Sequence, residues 1–197
     1  MAGVLILAAL TPAAIEAYIR LTTAAPPPPH VADPALVAKY WTQFRGPGVQ
    51  GRGVYDNVPT TWDAPAGLNV LWRSPVELPG KSSPVVWGRK IFVTGATESD
   101  RRVFCYDANS GGLLWATAVK DIPGSPARVK APNEDTGWAA PSPVADDRHV
   151  AAIFANGDLA CLDHDGHVVW ARAMGAPVKD YGQGSSLAIW SNLVYVL

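Results

Sequence analysis

Three stretches of the chain share one pattern, in which a short apolar run, a polar turn and a second apolar run follow one another. They span residues 82–93, 141–152 and 185–196. Brief apolar runs bounded by Gly, Asp, Asn and Pro predict β-strands, because an amphipathic helix would need apolar residues at a spacing of 3.6. Ser142 and Ser186, at matched places in the pattern, are 44 residues apart. That spacing is typical of one blade of a β-propeller.

Two of these stretches continue into a second matching half, residues 105–115 and 161–170. In each half an Asp can accept backbone N–H bonds at the start of a turn, a Gly supplies a positive φ, and a Trp follows on the outer strand. A large indole there can fill the wedge between neighbouring blades. We therefore interpret these positions as structural: Asp107, Gly111, Trp115, Asp163, Gly166 and Trp170. Between the halves, Asn156-Gly157 predicts a type I′ hairpin.

The pattern predicts an all-β protein, a partial β-propeller of four-stranded antiparallel blades. We place one blade at residues 82–118, a second at 141–173 and part of a third at 185–197, about two and a half blades. A ring of seven or eight blades needs roughly 310 to 350 residues. We therefore expect the missing blades of the same propeller to be partners of this chain.

The N-terminus differs in composition from the repeats. Residues 1–25 are largely apolar, and we interpret them as a signal or membrane-anchor segment, with a terminal helix packed on the domain as the alternative. Residues 26–40 begin with four prolines and predict a stiff tether. Together they indicate an exported protein of the periplasm or cell envelope, with a possible membrane tether.

Composition excludes several kinds of function. The net charge is −1 and no basic run is present, so nucleic acid is not an expected partner. Cys105 and Cys161 are 56 residues apart at equivalent places in successive blades, which favours two buried thiols over a disulfide. The four histidines are expected at the surface. Neither a metal-ligand spacing nor a catalytic motif can be assembled, so no catalytic, cofactor-binding or metal residue is assigned.

At this point the residues resemble a known family. Residues 107–115, with the pattern Asp-x-x-Ser-Gly-x-x-x-Trp, are similar to the tryptophan-docking repeat of PQQ-like propellers, and residues 163–170 are a copy shortened by one residue. Residues 41–47, Trp-Thr-Gln-Phe-Arg-Gly-Pro, resemble the opening of exported bacterial PQQ-binding-like propellers. Residues 68–73 then look like the strand that closes the last blade.

The resemblance implies two kinds of function. The family includes PQQ-dependent dehydrogenases, which hold the quinone with Ca²⁺ and often carry an adjacent Cys-Cys pair, and it includes a non-catalytic lipoprotein of outer-membrane assembly. This chain has neither the adjacent pair nor a cysteine for lipid attachment. We expect a non-catalytic binding or scaffolding module for a protein, peptide or polysaccharide. The alternative is a PQQ-dependent dehydrogenase whose catalytic residues lie elsewhere.

Two loops that enter the innermost strands are the candidate binding face, residues 130–140 and 179–184. Loops on a rigid scaffold commonly carry binding residues. The candidate ligand or partner residues are Asn133, Glu134, Asp135, Trp138, Asp180, Tyr181 and Gln183. The competing interpretation is that these are solvated loops and that Trp138 covers the core. The carboxylates here would repel those of PQQ unless Ca²⁺ intervened, and Lys130 and Lys179 are the only nearby cations in the sequence.

Overall fold

Two four-stranded antiparallel sheets and a two-stranded sheet make up the computed structural model, which describes residues 30–177 and 180–197. The first sheet has the order β1-β2-β3-β4, the second β5-β6-β7-β8, and β9 pairs with β10. The strands are β1 Val85–Trp87, β2 Lys90–Ala96, β3 Arg101–Asp107, β4 Leu113–Ala118, β5 Val144–Ala145, β6 His149–Ile153, β7 Asp158–Asp163, β8 Val168–Ala173, β9 Ala188–Trp190 and β10 Leu193–Tyr195. The prediction of an all-β partial propeller with four-stranded blades is confirmed.

The hydrophobic core lies between the blades and is formed mainly by their middle strands. Phe92 of β2 and Val103 of β3 are fully buried, as are Val150 of β6 and Leu162 of β7. The outer strands β4 and β8 are half exposed. Because each sheet is apolar on the surface that meets its neighbour, the core is completed only when one blade packs against the next.

A serine in each repeat connects successive blades. The backbone N–H of Ser83 donates to Oγ of Ser142 at 2.9 Å, and the N–H of Ser142 donates to Oγ of Ser186 at 3.0 Å. Each serine precedes the innermost strand of its blade. The repeated Ser is therefore a hydrogen-bond link from blade to blade.

Tryptophan side chains make a second repeated contact. Nε1 of Trp72 donates to the carbonyl of Ala108 at 2.9 Å, and Nε1 of Trp115 donates to the carbonyl of His164 at 3.0 Å. A Cβ built on Gly111 would lie 2.5 Å from the indole of Trp72, and one built on Gly166 would lie 2.8 Å from that of Trp115. Only glycine therefore lets the turn approach the indole this closely.

Trp170 occupies the same strand position as Trp115 but has a different environment. Trp170 is 38% exposed, and the described residues contain no turn that accepts from its Nε1 in the way that the carbonyl of His164 accepts from Nε1 of Trp115. The two tryptophans have equivalent sequence contexts, and only one is docked here.

The aspartates that open the two outer turns accept bonds from the turn backbone. Oδ1 of Asp107 accepts from the N–H groups of Ser110 and Asn109. These hydrogen bonds, first of all the one from Ser110, lower the pKa of Asp107. Oδ1 of Asp163 accepts from the N–H of His167, which lowers the pKa of Asp163 in the same way.

The segment that precedes the first blade lies along the inner edges of two blades. The carbonyl of Trp41 accepts from the N–H of Val86 in β1 at 2.7 Å, and the carbonyl of Thr42 accepts from the N–H of Ala145 in β5 at 2.9 Å. Before it, the helix α1, Pro34–Lys39, begins at Asp33, whose side chain accepts from the N–H of Ala35. The expected tether over residues 26–40 is thus helical in part, and residues 26–29 lie outside the described residues, as do residues 1–25.

Residues 68–73 pair with no described strand and make one isolated bridge, from Leu68 to Asp63, so the closing strand expected there stays a prediction. Two other local expectations differ from the structure. The Asn156-Gly157 turn is not type I′, since Gly157 alone has a positive φ and its N–H donates to the carbonyl of Phe154. His164 is not a surface residue, because its ring packs 5.3 Å from that of Phe92, and burial lowers its pKa.

The environments of Trp115 and Trp170 predict different costs for removing each side chain. Replacing Trp115 with Ala removes a packed indole and a bond between blades, so we expect the free energy of unfolding to fall by about 3 kcal/mol. Trp170→Ala is the matched control and should cost less than about 1 kcal/mol. Trp115→Phe, which keeps a ring but loses the N–H donor, should cost about 1 kcal/mol. Urea unfolding of the three variants measures this, and equal losses for Trp115→Ala and Trp170→Ala would contradict it.

Candidate binding face

One end of the blades carries the β2–β3 and β6–β7 hairpins together with the long connections between blades. We call this end the loop face: residues 97–100, 119–143, 154–157, 174–177 and 180–187. The strand directions place the connections here, because β4 and β8 end at this end of the blades and β5 and β9 begin at the same end. The two candidate loops of the sequence analysis both lie here.

The structure brings the two candidate loops into direct contact. The N–H of Asn133 donates to the carbonyl of Asp180 at 2.8 Å, and Oγ1 of Thr136 donates to the carbonyl of Tyr181 at 3.2 Å. Nζ of Lys130 lies 2.5 Å from Oδ1 of Asp180. This hydrogen bond and the charge of Lys130 hold the pKa of Asp180 below its usual range. The loops are therefore held to each other by backbone and ionic contacts.

Asn133 holds the turn of its own loop. Its Oδ1 accepts from the N–H of Asp135 at 2.6 Å, and its carbonyl accepts from the N–H of Gly137 at 2.8 Å. Gly137 has a φ of 61°, which glycine adopts without strain. The side-chain carbonyl of Asn133 is thus engaged within the loop, while Glu134 and Asp135 at the tip are exposed.

Trp138 and Gln183 connect the loop face to the blade beneath it. Trp138 is half-buried against the core, and its carbonyl accepts from the N–H of Ala155 at 3.0 Å. The N–H of Gln183 donates to the carbonyl of Ala155 at 3.1 Å, and its Nε2 donates to the carbonyl of Leu197 at 2.9 Å. Tyr181 is 54% exposed. The candidate residues with exposed side chains are therefore Glu134, Asp135, Asp180 and Tyr181.

A buried ion pair beneath the same face was missed by the sequence analysis. Nε of Arg101 lies 3.3 Å from Oδ2 of Asp158, and the two side chains are 14% and 1% exposed. Oδ2 of Asp158 also accepts from Oγ of Ser125 at 2.9 Å and from Nδ2 of Asn156 at 2.6 Å. The available signal was an Asp at the start of a buried strand, directly after the Asn-Gly turn.

This ion pair lies beside a polar cavity of about 420 Å³. The cavity is lined by Glu98, Ser99, Arg101, Ser125, Pro126, Ala127, Arg128, Val129 and Asn156. Asp158 fixes Ser125 of the inter-blade connection and Asn156 of the β6–β7 hairpin to the same carboxylate oxygen. Asp158 thus ties Ser125 of the loop face to the second blade, and its ion pair with Arg101 joins the first blade to the second.

Comparison with known proteins identifies a family for this chain. Residues 58–197 match the family model described as outer membrane protein assembly factor BamB. The chain belongs to this family. No curated protein matches the chain at a significant level.

Three solved structures are similar to the chain, and one of them, the alcohol dehydrogenase below, has a TM-score that supports the fold. The chain is 26% identical to BamB from Moraxella catarrhalis, covering 57% of this chain and 31% of that protein, with a TM-score of 0.36. It is 16% identical to the quinohemoprotein alcohol dehydrogenase ADHIIG from Pseudomonas putida HK5, covering 84% and 24%, with a TM-score of 0.50. A europium-containing methanol dehydrogenase is 16% identical, covering 52% and 26%, with a TM-score of 0.33. The chain thus spans about a quarter to a third of these proteins.

Among the described residues of this BamB-family chain, no site is assigned for the PQQ and Ca²⁺ that the resemblance to PQQ-like propellers implies. They contain no group of three or more His, Cys, Asp or Glu side chains placed to hold a metal ion. On the loop face the carboxylates of Glu134, Asp135 and Asp180 face solvent, and Lys130 is already paired with Asp180. Lys179 lies outside the described residues. We therefore derive no chemistry through a quinone.

Cys105 and Cys161 are free and buried. Cys105 lies opposite Trp115 and Cys161 lies opposite Trp170 in the strand registers, and Cys105 is part of the core between the blades. Burial raises the pKa of both thiols to about 12. Among the described residues, no helix is long and apolar enough to cross a membrane.

The raised pKa values predict unreactive thiols in the folded protein. At about pH 8 the thiolate fraction of a group with this pKa is roughly 1 in 10,000, and the thiolate is the nucleophile. We expect iodoacetamide to leave the native chain unmodified and to label both cysteines after unfolding in guanidinium chloride, as measured by mass spectrometry. Rapid labelling of the native chain at either position would show that the thiol is accessible.

Proposed function

We propose that this chain is a non-catalytic binding module of the cell envelope, and that its loop face binds a protein partner in outer-membrane protein assembly. The observation that carries the proposal is the family match over residues 58–197. The family's description names such assembly. Export of the chain, with residues 1–25 as a signal or membrane-anchor segment, is part of the same proposal.

The construction of the loop face supports a binding role. Its two loops are hydrogen-bonded to each other and to the second blade, so the exposed side chains at their tips are held on a rigid support. A preorganised surface loses less conformational entropy on association than a mobile one. Tyr181 offers an amphipathic ring, a residue type enriched at protein interfaces.

The charges at the tips indicate the kind of partner surface. Glu134 and Asp135 are adjacent and exposed, and Asp180 lies on the neighbouring loop. Complementary charge raises association rates and suppresses wrong partners. A partner with Lys or Arg facing these carboxylates therefore fits best. A peptide or a polysaccharide with cationic groups would satisfy the same carboxylates and is the other ligand class for this face.

Charge reversal on the loop face tests the proposal. We expect the double variant Glu134→Lys, Asp135→Lys to lower co-purification with the outer-membrane protein assembly machinery of the same cell by roughly tenfold. Asn109→Lys, an exposed change at the opposite end of the blades, is the matched control and should have no effect. The measurement is immunoprecipitation of the full chain followed by quantitative mass spectrometry. Equal recovery with both variants would exclude the loop face as the interface.

The alternative function is a PQQ-dependent dehydrogenase whose catalytic residues lie outside these 197 residues. Its supporting observation is the fold shared with the quinohemoprotein alcohol dehydrogenase, at 16% identity. Incubation with PQQ and Ca²⁺, desalting, and an assay with an artificial electron acceptor across alcohols and aldoses separate the two. We expect neither retained quinone nor turnover. Stoichiometric quinone with turnover would favour the dehydrogenase, and retained quinone without turnover would indicate a binding protein.

A further inference from the structure

The inner edges of the first two blades are already occupied by extended backbone. Val86 of β1 is paired with Ile91, and Ala145 of β5 is paired with Val150. At these register positions the N–H groups point away from the second strand of the blade, and they donate to the carbonyls of Trp41 and Thr42 at 2.7 and 2.9 Å. Residues 41 and 42 therefore provide one carbonyl to each successive blade.

The third blade repeats the arrangement without the acceptor. Ile189 of β9 is paired with Val194, the register position that Val86 and Ala145 hold in their blades. Its N–H is therefore directed to the same inner edge. Among the described residues no backbone carbonyl accepts from it. The next carbonyl along the chain, that of Gln43, instead accepts from the N–H of Gly46 at 2.8 Å, so the chain turns away before it reaches β9.

An apolar groove of about 410 Å³ has Ile189 in its lining. It runs between α1, the short 3₁₀ helix at Pro47–Val49, and the inner strands β5 and β9. It is lined by Val31, Ala32, Pro34, Val37, Ala38, Pro47, Gly48, Ala145, Asp146, Ile189, Trp190 and Ser191. Trp190 is 75% exposed, a large fraction for an indole beside a groove.

We propose that this groove binds an extended apolar segment of a partner protein, with a carbonyl of that segment accepting from the N–H of Ile189. The site lies at the end of the blades that carries the β1–β2 and β5–β6 turns, opposite the loop face, so it is a second surface and does not depend on the first. The bound segment would give the third blade the backbone acceptor that Trp41 and Thr42 give to the first two blades. Main-chain bonds to a free strand edge supply affinity, and alternate side chains that enter a groove supply specificity.

The groove also defines the side chains that such a segment carries. Asp146 is the only ionisable residue among the described residues that line it, and Oδ1 of Asp146 already accepts from the N–H groups of Arg148 and His149. Acidic side chains are disfavoured beside this carboxylate, and the remaining walls are mainly aliphatic. An alternating segment such as Thr-Val-Thr-Val-Thr places both valines on one face of an extended chain.

The test uses this sequence as a blocked peptide, acetyl-Thr-Val-Thr-Val-Thr-amide, titrated into the ¹⁵N-labelled full chain. We expect a saturable downfield shift of the Ile189 amide signal, slower hydrogen exchange at that amide and a change in Trp190 fluorescence. The same peptide with both valines replaced by Asp should bind at least roughly tenfold more weakly. If the Ile189 amide neither shifts nor gains protection, or if both peptides bind equally, the proposal is overturned.

Two variants of α1 complete the experiment. Ala38 lines the groove and is exposed, so Ala38→Trp fills the groove without disturbing the core, and we expect at least a roughly tenfold loss of peptide affinity. Ala35→Trp, an exposed change on the same helix that does not line the groove, is the matched control and should bind as the unchanged chain does. Peptide binding that survives in Ala38→Trp would place the peptide elsewhere. The amide spectra of both variants report whether the fold is retained.

Discussion

The packing of one blade against the next is the constraint on which the rest of this structure depends. A four-stranded blade is apolar on the surface that meets its neighbour and cannot bury that surface alone. The repeat supplies two polar contacts that fix how the blades meet. The hydroxyl of Ser142 accepts from the backbone of Ser83, and the indole N–H of Trp115 donates to the backbone of His164. Both bonds join positions far apart in sequence, so they form only when the blades are in register.

These contacts place the loop face. Because the blades are held side by side, the connection that leaves β4 and the connection that leaves β8 emerge at the same end and meet there. The bond from Ser125 to Asp158 then fixes one loop to the second blade, and the bond from the N–H of Asn133 to the carbonyl of Asp180 joins the two loops. The described loops of this surface are therefore held by hydrogen bonds to each other and to the second blade.

The segment at residues 41 and 42 covers the inner edges of the first two blades with extended backbone. Its carbonyls occupy the inner edges of β1 and β5, so these strands do not present free N–H groups at Val86 and Ala145. The inner edge of β9 lies next in the series and opens onto an apolar groove. The loop face thus carries exposed carboxylates, whereas the groove beside α1 at the other end of the blades is lined mainly by aliphatic side chains.

The sequence alone determined the fold to a large extent. Short apolar runs, the Asp-x-x-Ser-Gly turn before Trp115 and the spacing of Ser142 and Ser186 are local signals, and each depends on backbone preferences that neighbouring residues set. The turn at Asn156-Gly157 was located correctly although its type was not. The closing strand expected at residues 68–73 stays a prediction, because the described residues hold no strand of the blade that it would complete, although Trp72 makes the same contact with the next turn as Trp115 does.

Only the tertiary structure decided which candidate side chains are already bonded within the protein and which are exposed. Asn133 and Gln183 resemble ligand-binding residues in sequence, yet one closes its own turn and the other holds a loop to the second blade. Trp115 and Trp170 occupy equivalent sequence contexts, and within the described residues a turn of the next blade receives the N–H of Trp115. The buried pair of Arg101 and Asp158 brings together residues from two blades. These outcomes depend on contacts between distant segments, whose partners no local pattern specifies.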